Sequence, residues 1–163
     1  MMTQDYSFYR TILSNQKWNP DFNTKTIPQK KLSWLMCEGS LTKELQKICH
    51  TFEVLLLNQG WRSEINKNSK IWLREVLLQG DNIPWIFAQT VVPEITVNNV
   101  AQEILTLGEK PLGLWLFPQE PIRITLEWYQ DPISGLLARR SILKVKNYPI
   151  EIKELFLKSF SFQ

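Results

Sequence analysis

Two charged side chains in this sequence fall where strand periodicity gives them apolar company, and together they can grip a polar molecule at two ends. The first is Arg74, in Trp72-Leu73-Arg74-Glu75-Val76-Leu77-Leu78. Alternation puts Trp72, Arg74, Val76 and Leu78 on one face, and Ile71, Leu73, Glu75 and Leu77 on the other. A guanidinium stays charged at any ordinary pH, so a buried one demands an anion. The second is Glu154, in phase with Ile150, Ile152 and Phe156, while Glu151 and Lys153 take the opposite face. An inward carboxylate is costly unless it is protonated or paired.

Two arrangements satisfy both charges. They pair with each other, or with Glu75 and an arginine of the Arg139-Arg140 pair, as a structural device. Alternatively they stand at opposite ends of a closed pocket, with a substrate carboxylate on Arg74 and a polar hydrogen of the same molecule on Glu154. Periodicity does not separate the two. Backbone amides add further anion donors. Ser40 reads as an N-cap whose side chain takes one orphan amide and leaves that of Leu41 free, although an ordinary amphipathic helix with a solvated end has the same pattern. In Lys110-Pro111-Leu112-Gly113 the proline has no amide hydrogen, so the loop's donors begin at Leu112.

The composition excludes several other chemistries. One histidine, His50, and two cysteines, Cys37 and Cys49, do not build a metal cluster at their spacing, and they supply no Ser-His or Cys-His nucleophile. No Gly-rich phosphate loop and no internal repeat is present. The net charge of +3 comes from scattered Lys and Arg, with Lys30-Lys31 and Arg139-Arg140 the only basic pairs, which is too little for a nucleic-acid footprint. Apolar runs such as Val54-Leu55-Leu56-Leu57 are too short to span a bilayer. Two free thiols and no secretory signal ahead of them point to the cytoplasm.

The elements that must position these groups can be read in order. A chain of 163 residues, 44% hydrophobic, is read as a single domain over residues 1–163. Its first thirty residues read as a variable surface segment with little regular structure. Pro28 opens a short helix carrying Leu32, Leu35 and Met36 inward. Ser40 opens a second, with Leu41, Leu45, Ile48 and Cys49 on one face. A strand over residues 52–57 gives way at Gly60-Trp61 to a polar connection reaching Lys70. The Arg74 strand follows and turns at Gly80-Asp81-Asn82 into Trp85 to Val92, which Pro93 ends. Val97, Val100, Ala101, Ile104 and Leu107 have helical spacing, with Gly108 as the cap. The last third is β. Ile122, Ile124, Leu126 and Trp128 alternate with Arg123, Thr125, Glu127 and Tyr129, and two further strands carry Arg139 and Glu154. Hairpin links predict an α+β fold with a mainly antiparallel sheet, helices packed on it and an enclosed ligand cavity.

Taken together, these stretches resemble the chorismate lyase family. The likeness rests on Gly39-Ser40-Leu41-Thr42-Lys43, the Trp72 to Leu78 strand, Thr90-Val91-Val92-Pro93, and Pro111-Leu112-Gly113 with Leu116-Phe117. Arg139-Arg140-Ser141 and Glu154-Leu155-Phe156-Leu157 complete it, and residues 32–157 are covered. The resemblance implies an antiparallel sheet with helices to one side and a cavity closed by two flaps. It implies a monomeric lyase that eliminates pyruvate from chorismate to leave 4-hydroxybenzoate, the first step toward ubiquinone, with no cofactor and no metal. Arg74 with the Leu41 and Leu112 amides would then hold the ring carboxylate, and Glu154 would face the ring hydroxyl. Glu75, on the other face, drops out. Trp and Phe side chains packing both faces of the ring would slow product release.

The chain departs from the family at Gln89, where an arginine is usual, and this predicts the loss of a positive charge near the site. It departs again at Lys158, in place of a proline. A reading from another class is a non-catalytic effector-binding module of the same fold. Such modules follow a helix-turn-helix domain, for which thirty residues are too few.

Overall fold

The computed structural model describes residues 5–163. Six strands form one antiparallel sheet in the order β1-β2-β3-β6-β5-β4. They are β1 (Phe52–Ser63), β2 (Lys70–Gly80), β3 (Ile83–Pro93), β4 (Ile122–Gln130), β5 (Leu137–Val145) and β6 (Tyr148–Phe156). Asp81 and Asn82 both take positive φ, as do Lys146 and Asn147, so the β2–β3 and β5–β6 links are tight two-residue turns whose twist matches the flanking strands. The β4–β5–β6 meander then returns its last strand to the middle of the sheet, beside β3.

Between β3 and β4 the chain forms α4 (Glu94–Val100) and α5 (Leu112–Leu116); α1 (Ser7–Leu13), α2 (Gln29–Leu35) and α3 (Leu41–Gln46) precede the sheet. One face of the sheet carries Val76, Leu78, Ile86, Ala88 and Phe156, packed with Leu32, Leu35, Leu41 and Leu45 of α2 and α3. Toward one end of the strands, Val92, Val145 and Ile150 meet Val97 of α4 and Leu116 of α5.

The N-terminal segment is more ordered than expected, and helices do not keep to one side. α1 lies on the opposite face, where Ile12 and Leu13 bury against Leu77, Phe87, Ala138 and Leu155. The rings of Tyr6 and Tyr9 sit 5.9 and 5.6 Å from that of Phe87. A helix of two turns carries too short a period to stand out in sequence; the sheet's apolar second face makes it stable.

Three further expectations are corrected. β1 runs on through Gly60 and Trp61 to Ser63, because Trp61 finds a cross-strand partner in Trp72 with ring centroids 5.4 Å apart. The helix expected to run to Leu107 ends at Val100. Ala101, at φ −138°, bends the chain into a 3-10 turn over Gln102–Thr106, and the bend keeps Val97, Ala101 and Ile104 all buried. Met36 caps α2 and is exposed, while Leu32 and Leu35 of that helix are buried as expected.

Candidate functional site

Arg74 and Glu154 line one cavity between the sheet and the helices. Arg74 stands on β2, and Glu154 on β6, two strands away. Arg74 is 2% exposed and Glu154 7%. They are not paired with each other. The guanidinium Nη2 of Arg74 donates to the carbonyls of Gly108 and Lys110, at 3.0 and 2.7 Å, and its Nε has no hydrogen-bond partner among the described residues. No carboxylate of the described residues meets it, and burial pushes its pKa down to about 10. A buried guanidinium held only by carbonyl dipoles carries a charge that no described residue neutralises.

Glu154 does have a protein partner. Arg139, directly across on β5, donates from Nε to Oε1 at 2.7 Å, and Arg139 Nη1 donates to the Cys37 carbonyl at 2.8 Å. The paired arrangement therefore holds for Glu154 alone. Oε2 accepts from no donor among the described residues and remains open to a ligand.

The two expected amides belong to this cavity as well. Leu41 and Leu112 are the first residues of α3 and α5, so neither amide has an acceptor within its own helix, and both residues line the space. Ser40 caps α3, accepting from the Lys43 amide at 3.3 Å as its sequence position implied. The two helix starts meet at Gly113, where a Cβ would lie 2.8 Å from Ser40 Oγ and 3.4 Å from Thr42 Oγ1. Only a glycine lets them approach so closely.

Alternation had set Arg123 apart from Leu126 and Trp128, yet it joins the site. Register slips between Arg123 and Thr125, leaving Ile124 unpaired in a β-bulge. The extra residue returns Arg123 to the cavity face, opposite Leu143, where its Nη1 donates to the Cys37 carbonyl at 3.1 Å. An uninterrupted run of alternating residues carries no mark of such a bulge. Burial, then the neighbouring Arg139, lowers the Arg123 pKa against a smaller upward pull from Glu154. Ser141, Thr42 and Thr90 complete the polar lining.

Two expectations about the surroundings change. Among the described residues the walls are mainly aliphatic, with Val76, Leu78, Leu143 and Ile152 among them and Phe117 the only aromatic residue, so the lining does not offer an aromatic side chain to each face of a ring. Gln89 lies on the far face, where its amide donates to Glu75 Oε2 at 2.7 Å, and no charge is lost from the cavity through it. Glu75 is fully buried there and is answered by Arg10 at 2.9 Å and by Asn58. Burial pushes the Glu75 carboxyl up, but hydrogen bonds from Arg10, Gln89 and Asn58 outweigh it and hold the net pKa low. Glu75 therefore lies outside the cavity that Arg74 and Glu154 line.

Among the described residues no group of His, Cys, Asp and Glu side chains is arranged to hold a metal, and no helix is long and apolar enough to cross a membrane.

Known proteins share both the sequence and the fold. The solved structure of PhnF from Mycobacterium smegmatis superposes with a TM-score of 0.54 over 77% of this chain and 67% of that one, at 12% identity, a likeness of fold alone. The chorismate pyruvate-lyase of Pectobacterium atrosepticum is 32% identical over 157 residues, covering 90% of this chain and 87% of its own. A probable chorismate pyruvate-lyase of Vibrio vulnificus is 34% identical over 175 residues, covering 96% and 94%. The family model described as chorismate lyase matches residues 12–163, which carries the likeness back from residue 32 into α1. By that match and those relatives, the chain belongs to the chorismate lyase family.

Proposed function

We propose that this protein is a chorismate pyruvate-lyase, a carbon–oxygen lyase that converts chorismate to 4-hydroxybenzoate and pyruvate, the first step toward ubiquinone. The observation that carries the reading is Arg74, buried with no carboxylate partner among the described residues, in a cavity that Glu154 also lines. The ring carboxylate of chorismate takes the open side of the guanidinium and the amides of Leu41 and Leu112. The ring hydroxyl donates to Glu154 Oε2, with Arg139 holding the other oxygen.

In the reaction the ring carbon bearing the enolpyruvyl ether loses its carbon–oxygen bond, and the adjacent carbon bearing the hydroxyl loses its hydrogen. That carbon–hydrogen pair becomes the last double bond of an aromatic ring. The ether oxygen keeps its bonding pair and becomes the ketone of pyruvate as the enolpyruvyl methylene gains a proton. No electron enters or leaves, so the step asks for orientation and electrostatic support, not for a redox group. Glu154 positions the hydroxyl, and the hydrogen passes within the substrate from ring carbon to methylene.

Incubating the purified protein with chorismate tests the proposal. Equal amounts of pyruvate and 4-hydroxybenzoate are expected, with no added cofactor. Folded protein that binds chorismate but releases neither product would instead support an effector-binding module.

A further inference from the structure

Among the described residues, the lining of the cavity holds three arginines, Arg74, Arg123 and Arg139, against a single carboxylate, Glu154. Arg74 is accounted for by one substrate carboxylate, and Arg139 by Glu154. Arg123 is left over. Its Nη1 and that of Arg139 both donate to the Cys37 carbonyl, so two guanidinium groups are neighbours and repel each other beside one carboxylate already engaged. The buried Nε of Arg123 has no partner among the described residues, nor does the hydroxyl of Ser141, a residue 2% exposed on the strand next to it. Unmet donors and an excess positive charge at one end of a cavity call for a second anion there.

We infer that Arg123, with Ser141, forms a second anion subsite that holds the enolpyruvyl carboxylate of the substrate. The inference rests on the lyase reading, and it adds what that reading lacks, a device that separates substrate from product. Chorismate carries two carboxylates; 4-hydroxybenzoate keeps only the one on Arg74. The two anion subsites stand on β2 and β4, with Glu154 on the strand midway between them. Holding the enolpyruvyl arm at its carboxylate also restricts rotation about the ether bond that breaks.

The comparison to make is between Arg123→Gln, Arg123→Lys and the wild type, reading kcat and KM for chorismate and the inhibition constant of 4-hydroxybenzoate. Arg123→Gln should raise the KM for chorismate about tenfold or more, the loss of one charge-assisted contact. It should leave the inhibition constant of 4-hydroxybenzoate within about threefold. Arg123→Lys should recover much of the loss, since it restores the charge without the fork. Equal weakening of substrate and product would show that Arg123 only braces the Cys37 loop, and unchanged KM would remove it from the site; either overturns the inference. Should Arg123→Gln not fold, Ser141→Ala makes the same comparison with a smaller expected effect. A wild type that releases no pyruvate overturns the lyase reading itself, and the wild-type arm alone shows that.

Discussion

Arg74 is a group whose burial opposes stability, and the proposed function gives it a binding role. Its Nη2 leans on two carbonyls, its Nε meets nothing among the described residues, and burial depresses its pKa. Replacing it with leucine should therefore weaken 4-hydroxybenzoate binding by about 2 kcal/mol or more, roughly thirtyfold. The same change should leave the melting temperature unchanged or higher, because an uncompensated charge is exchanged for an apolar chain. Titration calorimetry and thermal melts read the two effects separately, and normal affinity in the variant would remove Arg74 from the site. Glu154 presents a different question. If it only accepts a hydrogen bond from the ring hydroxyl, Glu154→Gln, which keeps an acceptor oxygen, should lower kcat by no more than about tenfold. Service as general base would instead cost about 10²- to 10⁴-fold.

At the scale of elements, the cavity is bounded by two segments latched to its arginines through backbone carbonyls. Cys37, just beyond α2, accepts from Arg123 and Arg139, while Gly108 and Lys110, just before α5, accept from Arg74. The cavity's arginines and its covering segments are thus the same hydrogen-bonded units. Gly113 sets how closely α3 and α5 approach. In Gly113→Ala the new methyl must displace Ser40 Oγ, costing about 1 kcal/mol of helix cap and moving the Leu41 and Leu112 amides apart. Weaker 4-hydroxybenzoate binding with a small drop in melting temperature is expected, and unaltered binding would show that these amides do not hold the ligand. On the far face, α1 is fastened through Arg10 to the buried Glu75. The folded pKa of Glu75 lies below its ordinary value, so its contribution is complete above about pH 4.3 and is lost as pH falls through the folded value. Glu75→Gln should lower stability at neutral pH and reduce the extra loss on acidification from pH 5 to pH 3, as followed by denaturant unfolding. An acid profile parallel to wild type would show that other carboxylates govern it.

For the molecule as a whole, the antiparallel sheet has an apolar core on each face, yet an arginine, a glutamate and a second arginine are buried among the residues of one of them. Under the proposed function, a ligand that fills the row recovers its structural cost. A ligand at a hundred times its dissociation constant adds about 2.7 kcal/mol to the stability of the folded state. Melts with increasing 4-hydroxybenzoate should rise without a plateau over that range, and the rise should vanish in Arg74→Leu. A rise that survives in the variant would place the ligand elsewhere.

Much of this arrangement is determined by the sequence alone. Alternation over residues 72–78 and 150–156 places Arg74 and Glu154 on one face of their strands and Glu75 on the other, and paired positive-φ turn residues such as Asp81-Asn82 make the links hairpins. The order of the short motifs identifies the family. Only the tertiary structure decided which charge answers which. Periodicity determines the face a side chain takes, but cross-strand partners depend on strand order and register, which bring Arg139 beside Glu154 from fifteen residues away and leave Arg74 without a carboxylate. A single unpaired residue, Ile124, moves Arg123 into the cavity, and the second apolar face of the sheet draws α1 against it. Both are settled by packing between distant segments, for which a local pattern has no sign.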